Sequence, residues 1–378
     1  DVTLGALVPL TGDLSAFGET SLNGVRLAVD EANAAGGVLG GQVSIEVGDT
    51  RTAPQAAVDA AQRLVRVNGV AGLLGPLSSG NTIPVAQTVS AAAETPQLSG
   101  SATAPAITTL EDGDFLFRTV PSDAYQGVAL AQVVREKGTE RVAIIYINND
   151  YGEGLKDSFG EAFAAAGGTV TGSVAYEPGR ASYRGELAQL ARGDAEALAL
   201  IGYPENGLTI LRQALEEGLF ESFIFTDGMK APEVVAQIGA DFLEGAYGTA
   251  PQAVEGSETA ATFAELYEGS FGELPPKPFI DTFYDATMVL LLAMEKAGSS
   301  EGAAVRDAMR EVANGPGEPV GPGEFAKAKA LIAAGTDIDY VGAAGSVEFD
   351  AAGDVSGTFA EWAFEGGELI TRRVFEPN

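Results

Sequence analysis

Cysteine and histidine are both absent from this chain. That removes a Ser-His-Asp triad, a cysteine nucleophile, a Cys/His zinc site and an iron–sulfur cluster. Without cysteine there is no disulfide, so the sequence carries no record of its redox compartment. Cationic residues are scarce as well: 22 Lys and Arg stand against 53 Asp and Glu, a net charge of −31. Nucleic acid and anionic membrane surfaces are therefore poor partners. The acids are spread along the chain and read as a solvated acidic surface. Long apolar runs are missing too. The most apolar run, "ATMVLLLAM" (Ala286–Met294), is closed by Asp285 and Glu295, whereas a membrane span needs about 20 residues. The opening "DVTLGALVPL" is strand-like and does not read as a signal peptide, a feature that a mature secreted chain and a cytosolic chain share.

What is present is a regular alternation. Hydrophobic residues make up 46% of the chain, enough for a large core. At about 150 residues per domain, the 378 residues suggest two domains. "VTLGALVP" reads as a strand. Leu22, Val25, Val29 and Ala32 then recur at helical spacing, and Gly36-Gly37 ends that helix. "QVSIEVGD" alternates as a half-buried strand should, and a helix follows from Pro54 to Val67. "GVAGLLGP", "TPQLSG", "RVAIIYIN", "EALALIGY" and "ESFIFTDG" continue the strands, each followed by a helical or loop segment. Strands alternating with helices predict an α/β fold with parallel sheets covered on both faces. The tail from Gly345 reads as a β-meander or hairpin, with turns at Ala351–Asp354 and Gly366-Gly367.

Ligands of open parallel sheets bind beyond the carboxyl ends of the strands. The turn "GPLSSGNT" (Gly75–Thr82) lacks GK, GxSxG and SxxK, so it is neither a phosphate loop nor a serine elbow. Two readings remain: a helix N-cap, or a helix N-terminus holding a carboxylate. "LSGSATAP" (Leu98–Pro105) repeats the same chemistry with Ser99, Ser101 and Thr103. "NNDYGEGL" brings Tyr151 to the mouth of a turn, and "GYPENG" does the same for Tyr203. "FTDGMKAP" places Asp227 just past a strand. It is either a turn residue beside Gly228 or a counter-ion flanked by tyrosine faces. One half of the chain offers hydroxyls and N–H groups to an anion, while the other offers an acid and two tyrosines to a cation. A zwitterion such as an amino acid suits both.

The stretches "PLTGDLSAFGETSLNGVRLAVDEANAAGGVLGG", "SATAP", "NNDYGEGL", "LRQAL" and "FIDTFYDA" together resemble the substrate-binding proteins of branched-chain amino acid ABC transporters. The resemblance runs the whole length and implies a class I periplasmic binding fold: two Rossmann-like (flavodoxin-like) lobes with parallel sheets and three hinge crossings. It places one lobe at residues 1–120 plus 250–333 and the other at 121–249 plus 334–378, with crossings near Val120, Thr249 and Ala333. Ser79 and Thr103, with backbone at Leu77 and Ser101, would hold the ligand carboxylate and part of the ammonium. Tyr151, Tyr203 and Asp227 would complete the ammonium site, and Phe17 and Phe279 would line the side-chain pocket. Asp227 stands where branched-chain binders carry glutamate, Phe17 replaces a more polar aromatic, and Ser101 replaces a smaller apolar residue. The disulfide of the best-known members is absent.

The resemblance further implies a monomeric periplasmic carrier without catalytic residues, metal or cofactor. It would deliver an amino acid to an ABC permease and contact no nucleic acid. The alternative is a ligand-sensing domain for an amide or another small carboxylate.

Overall fold

A computed structural model describes residues 1–378 as two α/β lobes, each built on its own sheet. The first sheet contains β1 (Val2–Val8), β2 (Val43–Asp49), β3 (Leu73–Leu74), β4 (Gln97–Ser99) and β5 (Leu116–Arg118). All of its pairings are parallel, in the order β2-β1-β3-β4-β5. Helices α1 (Ser15–Ala34), α2 (Pro54–Arg66) and α3 (Ser79–Val85) connect these strands. The helical spacing of Leu22, Val25, Val29 and Ala32 puts all four in the core on one stripe of α1. Gly36 and Gly37 then take positive φ values that end the helix. "GVAGLLGP" yields only the two residues of β3 as strand. Because β3 is flanked by strands on both sides, those two residues are fully buried.

The second sheet repeats the plan. It contains β6 (Arg141–Ile147), β7 (Thr169–Tyr176), β8 (Ala197–Ile201), β9 (Phe223–Phe225) and β10 (Tyr247–Pro251). Here α4 (Asp123–Glu136) precedes β6, and α5 (Asp150–Ala165), α6 (Arg184–Leu190), α7 (Pro204–Glu216), α8 (Pro232–Ile238) and α9 (Ala240–Leu243) follow in turn. The parallel part runs β7-β6-β8-β9-β10, the same order as in the first lobe. Each sheet therefore reverses strand order beside its first strand, which opens a crevice at the strand ends.

The chain then returns to the first lobe. Of α10 (Glu258–Phe271), α11 (Ile280–Ala297) and α12 (Gly302–Ala313), α11 packs along α1 and α12 packs on α11. A small sheet of β11 (Glu318–Val320), β12 (Ile338–Gly342) and β13 (Gly345–Ser346), with α13 (Phe325–Ala333), closes this side. The last strands, β14 (Phe359–Glu365) and β15 (Glu368–Phe375), form the expected hairpin at Gly366-Gly367. Strand β14 also pairs antiparallel with β10 and so joins the second sheet.

The third crossing differs from the expectation at Ala333. Residues 334–354 stay with the first lobe. Asp285 on α11 accepts from Tyr340 Oη (2.8 Å) and from the N–H groups of Ala343 (2.7 Å) and Ala344 (2.9 Å). Buried Arg118 holds Asp354 through Nε at 2.6 Å and Nη2 at 2.8 Å. The chain leaves only between Asp354 and Phe359. The second crossing begins after Pro251, at the end of β10 and near the expected Thr249. The crossings lie side by side: Gln252 N donates to Thr358 O at 3.0 Å, and a Cβ at Gly357 would lie 3.0 Å from Pro121. No helix is long and apolar enough to cross a membrane.

Candidate functional site

The turns after β3 and β4 form the first-lobe wall. Ser79 begins α3 and is buried, and its Oγ accepts from Ala104 N at 3.1 Å. The helical turn continues past Val85 as a π turn, Ala86–Ser90. Ser99 Oγ donates to Pro76 O (2.7 Å) and accepts from Ala102 N (3.0 Å). Ser101 Oγ donates to Leu77 O at 2.7 Å. The serines thus staple the two turns together through backbone groups and carry no net charge.

The second-lobe wall comes from the turns after β6, β8 and β9. Tyr151 lies in the first turn of α5, where Asn149 caps the helix by accepting from Gly152 N at 2.9 Å. Tyr203 precedes α7, and its ring stacks on that of Tyr151, 5.4 Å between centroids and 15° from parallel. Asn149 Nδ2 donates to Tyr203 Oη at 3.2 Å. Tyr151 Oη donates to Asp227 Oδ1 at 2.7 Å, and Gln126 Nε2 donates to the same oxygen at 3.1 Å. Gly228 is required beside them, since a Cβ there would lie 2.3 Å from Gly202 O and 3.1 Å from Tyr151 Oη.

Burial dominates the electrostatics. Asp227 is 2% exposed, and loss of solvent pushes its carboxyl up to about 6 against the lowering effect of its hydrogen bonds. Burial also raises Asp123 well above the usual carboxylate range, and the Asp227 charge adds to the effect. Thr103 Oγ1 donates to Asp123 Oδ2 at 2.7 Å, while Oδ1 of the same carboxylate has no partner. The tyrosine hydroxyls of Tyr151 and Tyr203 are pushed upward, first by burial and then by Asp227, and remain protonated donors.

Between the walls lies a narrow cleft enclosing about 280 Å³ of empty space, part of it open to solvent. Seven of the nine expected residues line it: Leu77, Ser79, Ser101, Tyr151, Tyr203, Asp227 and Phe279. Two do not. Phe17 is fully buried one layer back and meets Phe279 edge-on, with centroids 6.1 Å apart. Thr103 is also fully buried and is turned toward Asp123. Leu14, Ser78 and Gly228 line the cavity without having been expected. Asp123 and Gln126 support it from α4, the first element after the first crossing. Their only sequence cue is a helix start at "PSDAY", which says nothing of what that helix faces.

The lobes touch around the cavity. A Cβ at Gly80 would lie 3.5 Å from Asn149 Cβ, and Asp123 N donates to Thr103 O at 2.8 Å. Lys277 Nζ donates to Ala16 O at 2.8 Å and pairs with Glu233 of the second lobe.

The family model "Periplasmic binding protein" matches residues 1–335. The Leu/Ile/Val-binding protein BraC3 of Rhizobium johnstonii is 32% identical over 82% of this chain and 84% of its own length. The chemotactic signal transduction system substrate-binding protein BasB of Halobacterium salinarum is 29% identical over 93% of this chain and 84% of its own. Among solved structures, the leucine-binding protein LivK of Thermotoga maritima superposes with a TM-score of 0.85 at 25% identity, covering 100% of this chain and 99% of that one. A solute-binding protein of an ABC transporter from R. palustris, solved with benzoate, reaches 0.81 at 17% identity, over 100% and 96% of the two chains.

Proposed function

The chain belongs to the periplasmic binding protein family and is of the Leu/Ile/Val-binding type, and we propose that it captures an α-amino acid as a zwitterion between its lobes for delivery to an ABC permease. One observation carries the reading. A buried carboxylate braced by stacked tyrosines faces a wall of hydroxyls and helix N–H groups across a cavity of about 280 Å³. The ammonium belongs beside Asp227, with the faces of Tyr151 and Tyr203 around it. The carboxylate belongs at Ser79 and the free N–H groups that begin α3. Leu77, Leu14 and Phe279 surround the side chain, and Phe17 holds Phe279 from behind. Thr103 acts one layer back by fixing Asp123. Relatives of this type work outside the cytoplasm, and we infer the same for this chain.

Charge-assisted hydrogen bonds contribute about 1.5–3 kcal/mol each. Three or four of them, less the cost of ordering, suit a micromolar complex near −8 kcal/mol. No group in the cavity forms a nucleophile–base pair, and the relatives are substrate-binding proteins.

Removing one ligand pole at a time tests the reading. Leucine at about 100 times its Kd should add roughly 2.7 kcal/mol of stability. 4-Methylpentanoate lacks the ammonium and isoamylamine lacks the carboxylate, so both should leave the melting temperature unchanged. A shift as large with 4-methylpentanoate as with any amino acid would overturn the zwitterion reading and favour a small carboxylate.

A further inference from the structure

Behind the ligand cavity, on the hinge side, lies a second and larger one. It encloses about 1130 Å³, part of it open to solvent. In a chain with 53 acidic residues, two of the seven lysines line it: Lys230 and Lys277. Lys277 is committed elsewhere, to Ala16 O and Glu233. Lys230 is not. It is 4% exposed, joins no ion pair, and makes one hydrogen bond through Nζ, to the neutral Gln252 Oε1 at 2.8 Å. A buried ammonium outside any contact ion pair is costly, and two of its three N–H donors are unused. Part of the wall is apolar, formed by Val254, Phe263, Leu274, Pro275, Pro276 and Ile280.

We propose that this hinge-side cavity is a second binding site, for a monocarboxylate with a compact apolar body, whose carboxylate pairs with Lys230. Two acids also face the cavity, Glu255 and Asp281. Asp281 opposes Lys230 from the first turn of α11, and its Oδ1 accepts from Thr282 N at 2.9 Å. These acids limit the ligand to a single negative charge. Burial pulls Lys230 down to about 8, with Asp281 opposing that shift, so the ammonium still predominates at neutral pH. Lys230 follows Asp227 by three residues on the second lobe, whereas Phe263, Ile280 and Asp281 belong to first-lobe helices. An occupant would therefore touch both lobes and favour the closed form.

Benzoate is the probe, with benzyl alcohol as its uncharged counterpart. Calorimetric titrations at fixed ionic strength would use protein already saturated with its preferred amino acid. One equivalent of benzoate should bind in addition to the amino acid, and benzyl alcohol should not bind. Lys230→Met should weaken benzoate about tenfold or more and leave amino acid affinity unchanged. Lys230→Gln, closer in polarity, repeats the measurement if the methionine variant does not fold. Absence of benzoate binding, its displacement by the amino acid, or indifference to both substitutions would overturn the proposal. If no amino acid binds the cleft, the same titrations on the empty chain still decide, because the dependence on Lys230 stands apart from the zwitterion reading.

Discussion

The two walls of the cleft solve the same task with opposite electrostatics. On the first-lobe wall three serine hydroxyls are already matched to backbone partners: Ser79 to Ala104 N, Ser99 to Pro76 O, Ser101 to Leu77 O. That wall is neutral and preorganised. On the second-lobe side, Asp227 and Asp123 are acids raised by burial, the Asp227 charge raises Asp123 further, and one oxygen of Asp123 has no partner. That side holds charge at a cost until a cation arrives. On the proposed reading, specificity for an ammonium is stored as destabilisation of one wall, and the other supplies shape.

The largest effect should come from removing the charge. Asp227→Ala is expected to weaken amino acid binding at least 100-fold, on the order of 3 kcal/mol or more, with little change for a ligand lacking an ammonium. Equal losses for both, measured by calorimetry, would show that the two walls do not divide the work in this way.

The stored cost should be visible without ligand. Burial pushes the folded carboxyl up to about 6, above the 3.8 of a solvated aspartate in the unfolded chain. The raised value means that Asp227 contributes stability below about pH 4 and loses it as pH rises through 6. Asp227→Asn should therefore melt higher than the parent at pH 7, by on the order of 2 kcal/mol. The gain should vanish near pH 4, and a pH-independent difference would contradict the argument.

Affinity should follow the same group from the other side. An ammonium needs the ionised carboxylate, so below about pH 6 binding must first expel a proton. Affinity should fall about tenfold per pH unit there. The groups facing Asp227 are Tyr151, Gln126, Thr226 and, through space, Asp123. A flat affinity profile between pH 4 and 7 would remove the charge asymmetry.

The smallest effect belongs to the neutral wall. Ser101→Ala deletes the bond to Leu77 O, a loss of about 1 kcal/mol in stability, and should weaken binding only a few-fold. A loss matching that of Asp227→Ala would reverse the comparison.

Much of this was legible in the chain. The turns at Leu77–Ser79, Ser101, Tyr151, Tyr203 and Asp227 each follow an apolar run, and the alternation of strand and helix sends such turns to one crevice. Phe17 and Thr103 were placed one layer too close, because spacing locates an element and not the direction of its side chain. The third crossing was set at Ala333 because nothing local marks residues 334–354 as first-lobe. Their allegiance depends on Arg118 holding Asp354 and on Asp285 holding the turn after Tyr340, partners 236 and about 55 residues away.

The residue pattern thus accounts for the parallel α/β plan, the exclusion of histidine and cysteine chemistry, and the candidate turns, all of which follow from local periodicity and from side-chain inventory. The tertiary fold alone brings Asp123 close enough to Asp227 to feel its charge, leaves Lys230 outside any ion pair, and packs Phe279 against Phe17. Those properties depend on burial and on contacts between residues far apart in the chain, and desolvation has no signature in a string of letters.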